Sequence, residues 1–229
     1  MKKTLLKYLP LGFAAFAAVT FTGCPVTFTV SASPDSTLYY NFNTTAGKST
    51  NELISAFDNS IDKSNSDSTV IFDTVEIERS LLKMGLKNVS ALTQKIDKNN
   101  QTLSISASSS ENKFNFIKII RNERGEATQM QLTLSPAILQ DLITNQNNII
   151  QKYADLLMAP CFTNEAIEKD EYIELLASLY GNDVAKEFTD GQIEIKLKNS
   201  DRKKIPQSFS IPIIDILLLT EEKTFIINY

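Results

Sequence analysis

Gln192-Ile193-Glu194-Ile195-Lys196-Leu197 carries the plainest pattern in the chain. Ile193, Ile195 and Leu197 alternate with Gln192, Glu194 and Lys196, the two-residue period of a strand with one buried and one wet face. Upstream the period changes. Ile167, Tyr172, Leu175, Leu176 and Leu179 recur at helical spacing and predict a helix over 165–180 with these residues inside and Gly181 as its cap, and Val184 to Phe188 adds one further turn. Downstream, Ser208 to Ile211 is placed to pair back across 199–204. Half-buried strands beside amphipathic helices predict an α+β body, a largely antiparallel sheet covered by amphipathic helices.

The rest of the chain follows the same grammar. Val26, Phe28 and Val30 alternate with threonines, and Leu38, Tyr40 and Phe42 form a second alternating run beyond a turn over 31–36. Ser49-Thr50-Asn51-Glu52 is a capping box, so a helix is expected over 50–61. Residues 74–84 read as a helix capped by Gly85, and 89–96 with 103–107 as a hairpin around Asp97-Lys98-Asn99-Asn100. For 114–120, and for 213–219 after Pro212, periodicity does not choose between strand and helix. Asn122 to Gly125 turns the chain, and Met130, Leu132 and Leu134 alternate as a strand. Ser135-Pro136 is a sharp helix start, an N-cap followed by proline, and the helix is expected to run towards Met158 until Pro160 stops it.

The first residues have a different character. Lys2, Lys3 and Lys7 precede the uncharged apolar run Leu9 to Phe21, the layout of a secretory signal. Its end, Phe21-Thr22-Gly23-Cys24, resembles the lipobox of bacterial lipoproteins, with Phe21 in the place where that family favours leucine. The resemblance implies cleavage between Gly23 and Cys24. It also implies a diacylglyceryl thioether and an N-acyl group on Cys24, which becomes the first mature residue. Two or more acyl chains make such an attachment stable. The expected organisation is a signal peptide over 1–23 and a single α+β envelope domain over 24–229. Pro25 is not the Asp that holds some lipoproteins at the inner membrane, so the analogy favours the outer membrane and leaves the face open.

Composition narrows the chemistry. Lys2, Lys3 and Lys7 leave with residues 1–23, so 23 basic side chains fall to 20 against 27 acidic ones, a formal charge of −7. Such a chain has no electrostatic reason to seek nucleic acid. There is no histidine, hence no His-based zinc site and no Ser–His or Cys–His pair. Acylation of Cys24 leaves Cys161 as the one thiol, which excludes a disulfide framework. Beside Pro160 and without a histidine to activate it, Cys161 reads as a buried structural thiol.

Three motifs invite a site and are better explained without one. Gly47-Lys48-Ser49-Thr50 ends like a phosphate-binding loop, with Val70-Ile71-Phe72-Asp73 imitating the acidic strand, yet the pattern needs glycine where Phe42 stands. The capping box accounts for Ser49, and no nucleotide is expected. Asp58, Asp62, Asn65 and Asp67 lack the ligand spacing and the glycine of a calcium loop. Glu165, Glu168, Asp170, Glu171 and Glu174 crowd one helix, where neighbouring carboxylates ordinarily face water. No cofactor or metal is expected. The leading expectation is a lipid-anchored envelope protein with a non-enzymatic binding or structural role, holding the membrane through Cys24 and meeting an envelope protein partner. A carrier or sensor of a hydrophobic or lipid ligand, using the apolar helix faces, is the second. A hydrolase using carboxylates or a Ser–Lys pair is the third.

Overall fold

The structure, a computed structural model, describes residues 25–33, 37–46, 74–95, 101–144, 157–198 and 207–228. In chain order its elements are β1 (Val26–Ala32), β2 (Leu38–Ala46), α1 (Thr74–Lys83), β3 (Lys87–Lys95), β4 (Gln101–Ser109), β5 (Ile117–Arg121) and β6 (Ala127–Leu134). There follow α2 (Pro136–Thr144), α3 (Ala159–Thr163), α4 (Lys169–Tyr180), α5 (Asn182–Asp190), β7 (Gln192–Lys198), β8 (Gln207–Pro212), α6 (Ile213–Leu217) and β9 (Lys223–Asn228). The expected helix over 50–61 and the acidic loop after it lie outside the described residues.

The fold is α+β, with a six-stranded sheet ordered β3-β4-β2-β1-β7-β8 and a three-stranded sheet ordered β5-β6-β9. Every pairing is antiparallel except β1 with β7. Register converts the alternation into a core. Leu103, Thr44, Val26, Ile193 and Ile211 form one row across five strands, and each is buried. The next row runs Ile105, Phe42, Phe28, Ile195 and Phe209. The intervening residues, among them Asn43, Ser104, Ser208 and Ser210, turn to the solvated face, as one side of an antiparallel sheet ordinarily does.

On that face Glu194 braces the strands. Its carboxylate accepts from Ser208 Oγ at 2.7 Å and pairs with Lys196 Nζ at 2.7 Å, while Thr27 Oγ1 reaches it at 3.5 Å. The hydrogen bond from Lys196, and then that from Ser208, hold the carboxyl below its ordinary value.

Local chemistry explains the helix ends. At the close of α1 the Leu86 amide donates to Leu81 O at 3.2 Å and the Gly85 amide to Leu82 O at 2.9 Å. This is the paired arrangement of a Schellman cap, with Gly85 at φ +82°. Leu81 and Leu86 are both buried, adding the apolar contact that goes with the cap. Ser135 Oγ accepts from the Ile138 amide at 3.3 Å, the N-cap that opens α2.

Several boundaries differ from expectation. Pro160 stands in the first turn of α3, where its missing N–H leaves no bond unmade, and Leu157 before it is helical, while the course of the expected helix over 145–156 lies outside the described residues. The helix expected from Glu165 begins at Lys169, because Asn164 at φ 56° closes α3 and residues 165–168 bridge the two. Within α4 only Tyr172 and Leu176 are fully buried, whereas Leu175 and Leu179 lie on an adjacent stripe and are exposed. The single turn at 184–188 is a nine-residue helix, α5. Residues 213–217 form a short buried helix, and 114–120 resolve into an irregular stretch followed by strand β5 from Ile117. Strand β9 had no counterpart in the sequence reading. It pairs with β6 and packs Phe225 on Phe209 with ring centroids 5.2 Å apart, joining the small sheet to the large one.

Candidate cleft at the far end of the large sheet

The link between β4 and β5 builds a concavity among the described residues. Ser109 is buried, and its Oγ accepts the Glu111 amide at 3.3 Å, turning the chain as the strand ends. Asn112 then braces the loop, its Oδ1 accepting the Phe114 amide at 3.2 Å and its Nδ2 donating to the Ile117 carbonyl. Phe114 and Phe116 therefore turn inward. Phe114 meets Tyr40 edge-on at 4.8 Å and Phe116 at 5.2 Å, and Phe116 reaches Phe28 at 6.4 Å. This aromatic chain ties the loop to β1 and β2. The Tyr40 hydroxyl is buried with no hydrogen-bond partner among the described residues, and burial raises its pKa. The Lys113 main chain lies close enough to oppose that rise, without the geometry of a hydrogen bond.

Outside this aromatic wall an open cleft of about 800 Å³ runs between the loop and β5. Leu38, Phe114, Ile117 and Ile119 supply its apolar lining, and Glu111, Lys113, Lys118 and Arg121 its charges. Three cations against one carboxylate make the cleft locally basic on a chain of formal charge −4. Lys113 pairs with Glu111 at 2.9 Å, and that hydrogen bond holds the Glu111 carboxyl below its usual value. Arg121 donates to Gly125 O at 3.0 Å within the β5–β6 turn. The Lys118 side chain is exposed and has neither a hydrogen bond nor an ion pair among the described residues.

None of the candidate site residues that the sequence singled out is among the described lining of this cleft. Gly23 and Cys24, Gly47 to Thr50, Val70 to Asp73, and Asp58, Asp62, Asn65 and Asp67 all fall outside the described residues. Glu165, Glu168, Asp170, Glu171 and Glu174 are exposed, the first two before α4 and the others on it, and none lines this cleft. No group of three acidic or cysteine side chains is arranged to hold a metal among the described residues. Cys161 is a free, buried thiol in α3 whose pKa is pushed up to about 11 by desolvation, which keeps it in the unreactive form. Ser208 and Lys196 stand opposite one another across β7 and β8, and both bond to Glu194, a stabilised carboxylate on an open sheet face and hence a weak base.

Nothing in the sequence pointed to the cleft. Lys113, Lys118 and Arg121 are ordinary charges in a polar loop and a short strand until the fold sets them around one space. Among the described residues no helix is long and apolar enough to cross a membrane. Compared with protein-family models, with curated proteins and with solved structures, the chain matches none.

Proposed function

We propose that this chain is a lipid-anchored bacterial envelope protein that works by binding a partner, with Cys24 as the acylated residue and the basic cleft as the surface it presents. One observation carries the reading: the two ends of β1 face the two halves of that task. Pro25 is bonded directly to Cys24 in the sequence, its carbonyl accepts Thr44 Oγ1 at 3.3 Å, and β1 begins at the next residue. An anchor on Cys24 therefore enters the sheet without a flexible tether. At the other end of β1, Ala32 pairs with Leu38, a wall of the cleft. A strand rises about 3.3 Å per residue, so Val26 to Ala32 spans about 20 Å, and the cleft stands off the bilayer by at most about that length.

The catalytic reading finds less support, because the acidic side chains at 165, 168, 170, 171 and 174 are exposed and both Ser208 and Lys196 bond to Glu194. By analogy with lipoprotein sorting, Pro25 favours the outer membrane. Metabolic labelling with a palmitate analogue tests the anchor: the full chain is expected to take the label and sediment with membranes, and Cys24→Ala to lose both. A Cys24→Ala chain that keeps its label and its membrane partition defeats the proposal.

A further inference from the structure

Among the described residues β5 is an outer strand of the three-stranded sheet, and the hydrogen bonds around it decide where its main chain points. The Thr133 amide donates to Phe116 O at 2.8 Å, bracketing the pair Ile117–Leu132. In an antiparallel ladder this marks a pair that exchanges no bonds of its own, so the amide and carbonyl of Ile117 face away from β6. The loop takes up both. The Ile117 amide donates to Phe114 O at 3.2 Å, and Asn112 Nδ2 donates to the Ile117 carbonyl. Two residues on, Ile119 stands opposite Met130 with the same outward orientation, and no hydrogen bond serves its amide or carbonyl among the described residues. Ile117 and Ile119 belong to one face of β5 and Lys118 to the other, yet all three line the cleft. The cleft therefore runs along the strand's free edge.

We infer that this edge is a docking site for an extended acidic segment of a partner protein. The segment hydrogen-bonds to the Ile119 main chain and sets carboxylates against Lys118 and Arg121. Charge selects the occupant. Lys113 is already neutralised by Glu111, whereas Lys118 is unpaired among the described residues and Arg121 uses one guanidinium nitrogen on Gly125. A second copy of this chain is disfavoured, since joining two β5 edges sets Lys118 and Arg121 against their like. The inference rests on the partner-binding half of the function proposed above and names the partner's chemistry.

The test uses the full chain in detergent and three blocked peptides: one alternating glutamate with valine, its lysine–valine counterpart, and the acidic peptide with alternate amides N-methylated. Fluorescence anisotropy is expected to show binding of the first alone, weakening as salt rises. Lys118→Glu is expected to lower the affinity about tenfold and Lys118→Gln to fall between. Lys118 is exposed, so both variants fold. The inference is overturned if Lys118→Glu binds unchanged, if the N-methylated peptide binds as well as its parent, or if free glutarate competes as well as the peptide, which would mark a simple anion pocket. No bilayer enters this measurement. A failed peptide titration leaves the anchor untouched, and a failed Cys24 labelling leaves the cleft untouched.

Discussion

Tyr172→Phe removes one oxygen from the most enclosed part of the helical layer. Tyr172 is 1% exposed, and its hydroxyl donates to the Leu157 carbonyl, tying α4 to the chain just before α3. Phenylalanine refills the ring's space, so no cavity term arises, and the loss is the hydrogen bond alone. That costs about 1–2 kcal/mol at neutral pH, or about 2–6 °C in Tm for a chain of this size. The pH dependence isolates the cause. Burial, and more weakly the neighbouring Tyr180, raise the Tyr172 pKa above its ordinary value of 10.0. The folded state thus keeps a proton that the unfolded state releases above about pH 10, and stability falls there by up to about 1.4 kcal/mol per pH unit for this group. It is fully present below pH 10 and lost as pH rises towards the folded pKa. The variant lacks this group. Urea denaturation of both chains from about pH 8 to about pH 11 should show a constant gap up to about pH 10, narrowing beyond it. A variant as stable as the parent at pH 8, or a gap that stays constant to pH 11, refutes the reasoning.

Two further perturbations follow from local geometry. Gly85→Ala places a side chain at φ +82°, while its Cβ meets nothing closer than the Lys113 side chain at 3.6 Å. The cost is therefore one of backbone conformation, about 1 kcal/mol, read as a lower urea midpoint with unchanged slope. Glu78→Ala removes the carboxylate that accepts the Ala91 amide at 2.8 Å, through which α1 covers the outer edge of β3. It is expected to destabilise by about 1–2 kcal/mol and to promote self-association detectable by light scattering, with Glu78→Gln milder on both counts.

The large sheet and most helix ends were legible because their signals are local. Alternation from Ile193 to Leu197 declares which side is buried, since a strand turns each side chain opposite to the last. Gly85 and Ser135 announce helix ends because the orphan groups they serve lie within a few residues. Leu175 and Leu179 misled because helical spacing admits two adjacent apolar stripes, and packing chose the one through Tyr172 and Leu176. Strand β9 was missed because Phe225-Ile226-Ile227 lacks alternation; Ile227 is buried while Ile226 is exposed.

By itself the amino-acid sequence determined the α+β class, the inward rows of β1, β2 and β7, the inability of a chain without histidine to assemble a Ser–His or Cys–His pair, and the lipobox-like run that ends at Cys24. Each follows from composition or from neighbours a few residues apart. Tertiary structure alone decided that β1 lies parallel to β7, bringing Val26 beside Ile193, and that among the described residues β5 is left with an open edge at Ile119. It also gathered Lys113, Lys118 and Arg121 around one cleft. Strand partners are chosen by packing between segments remote in the chain, and an edge exists only where no partner arrives. No local pattern of residues encodes that.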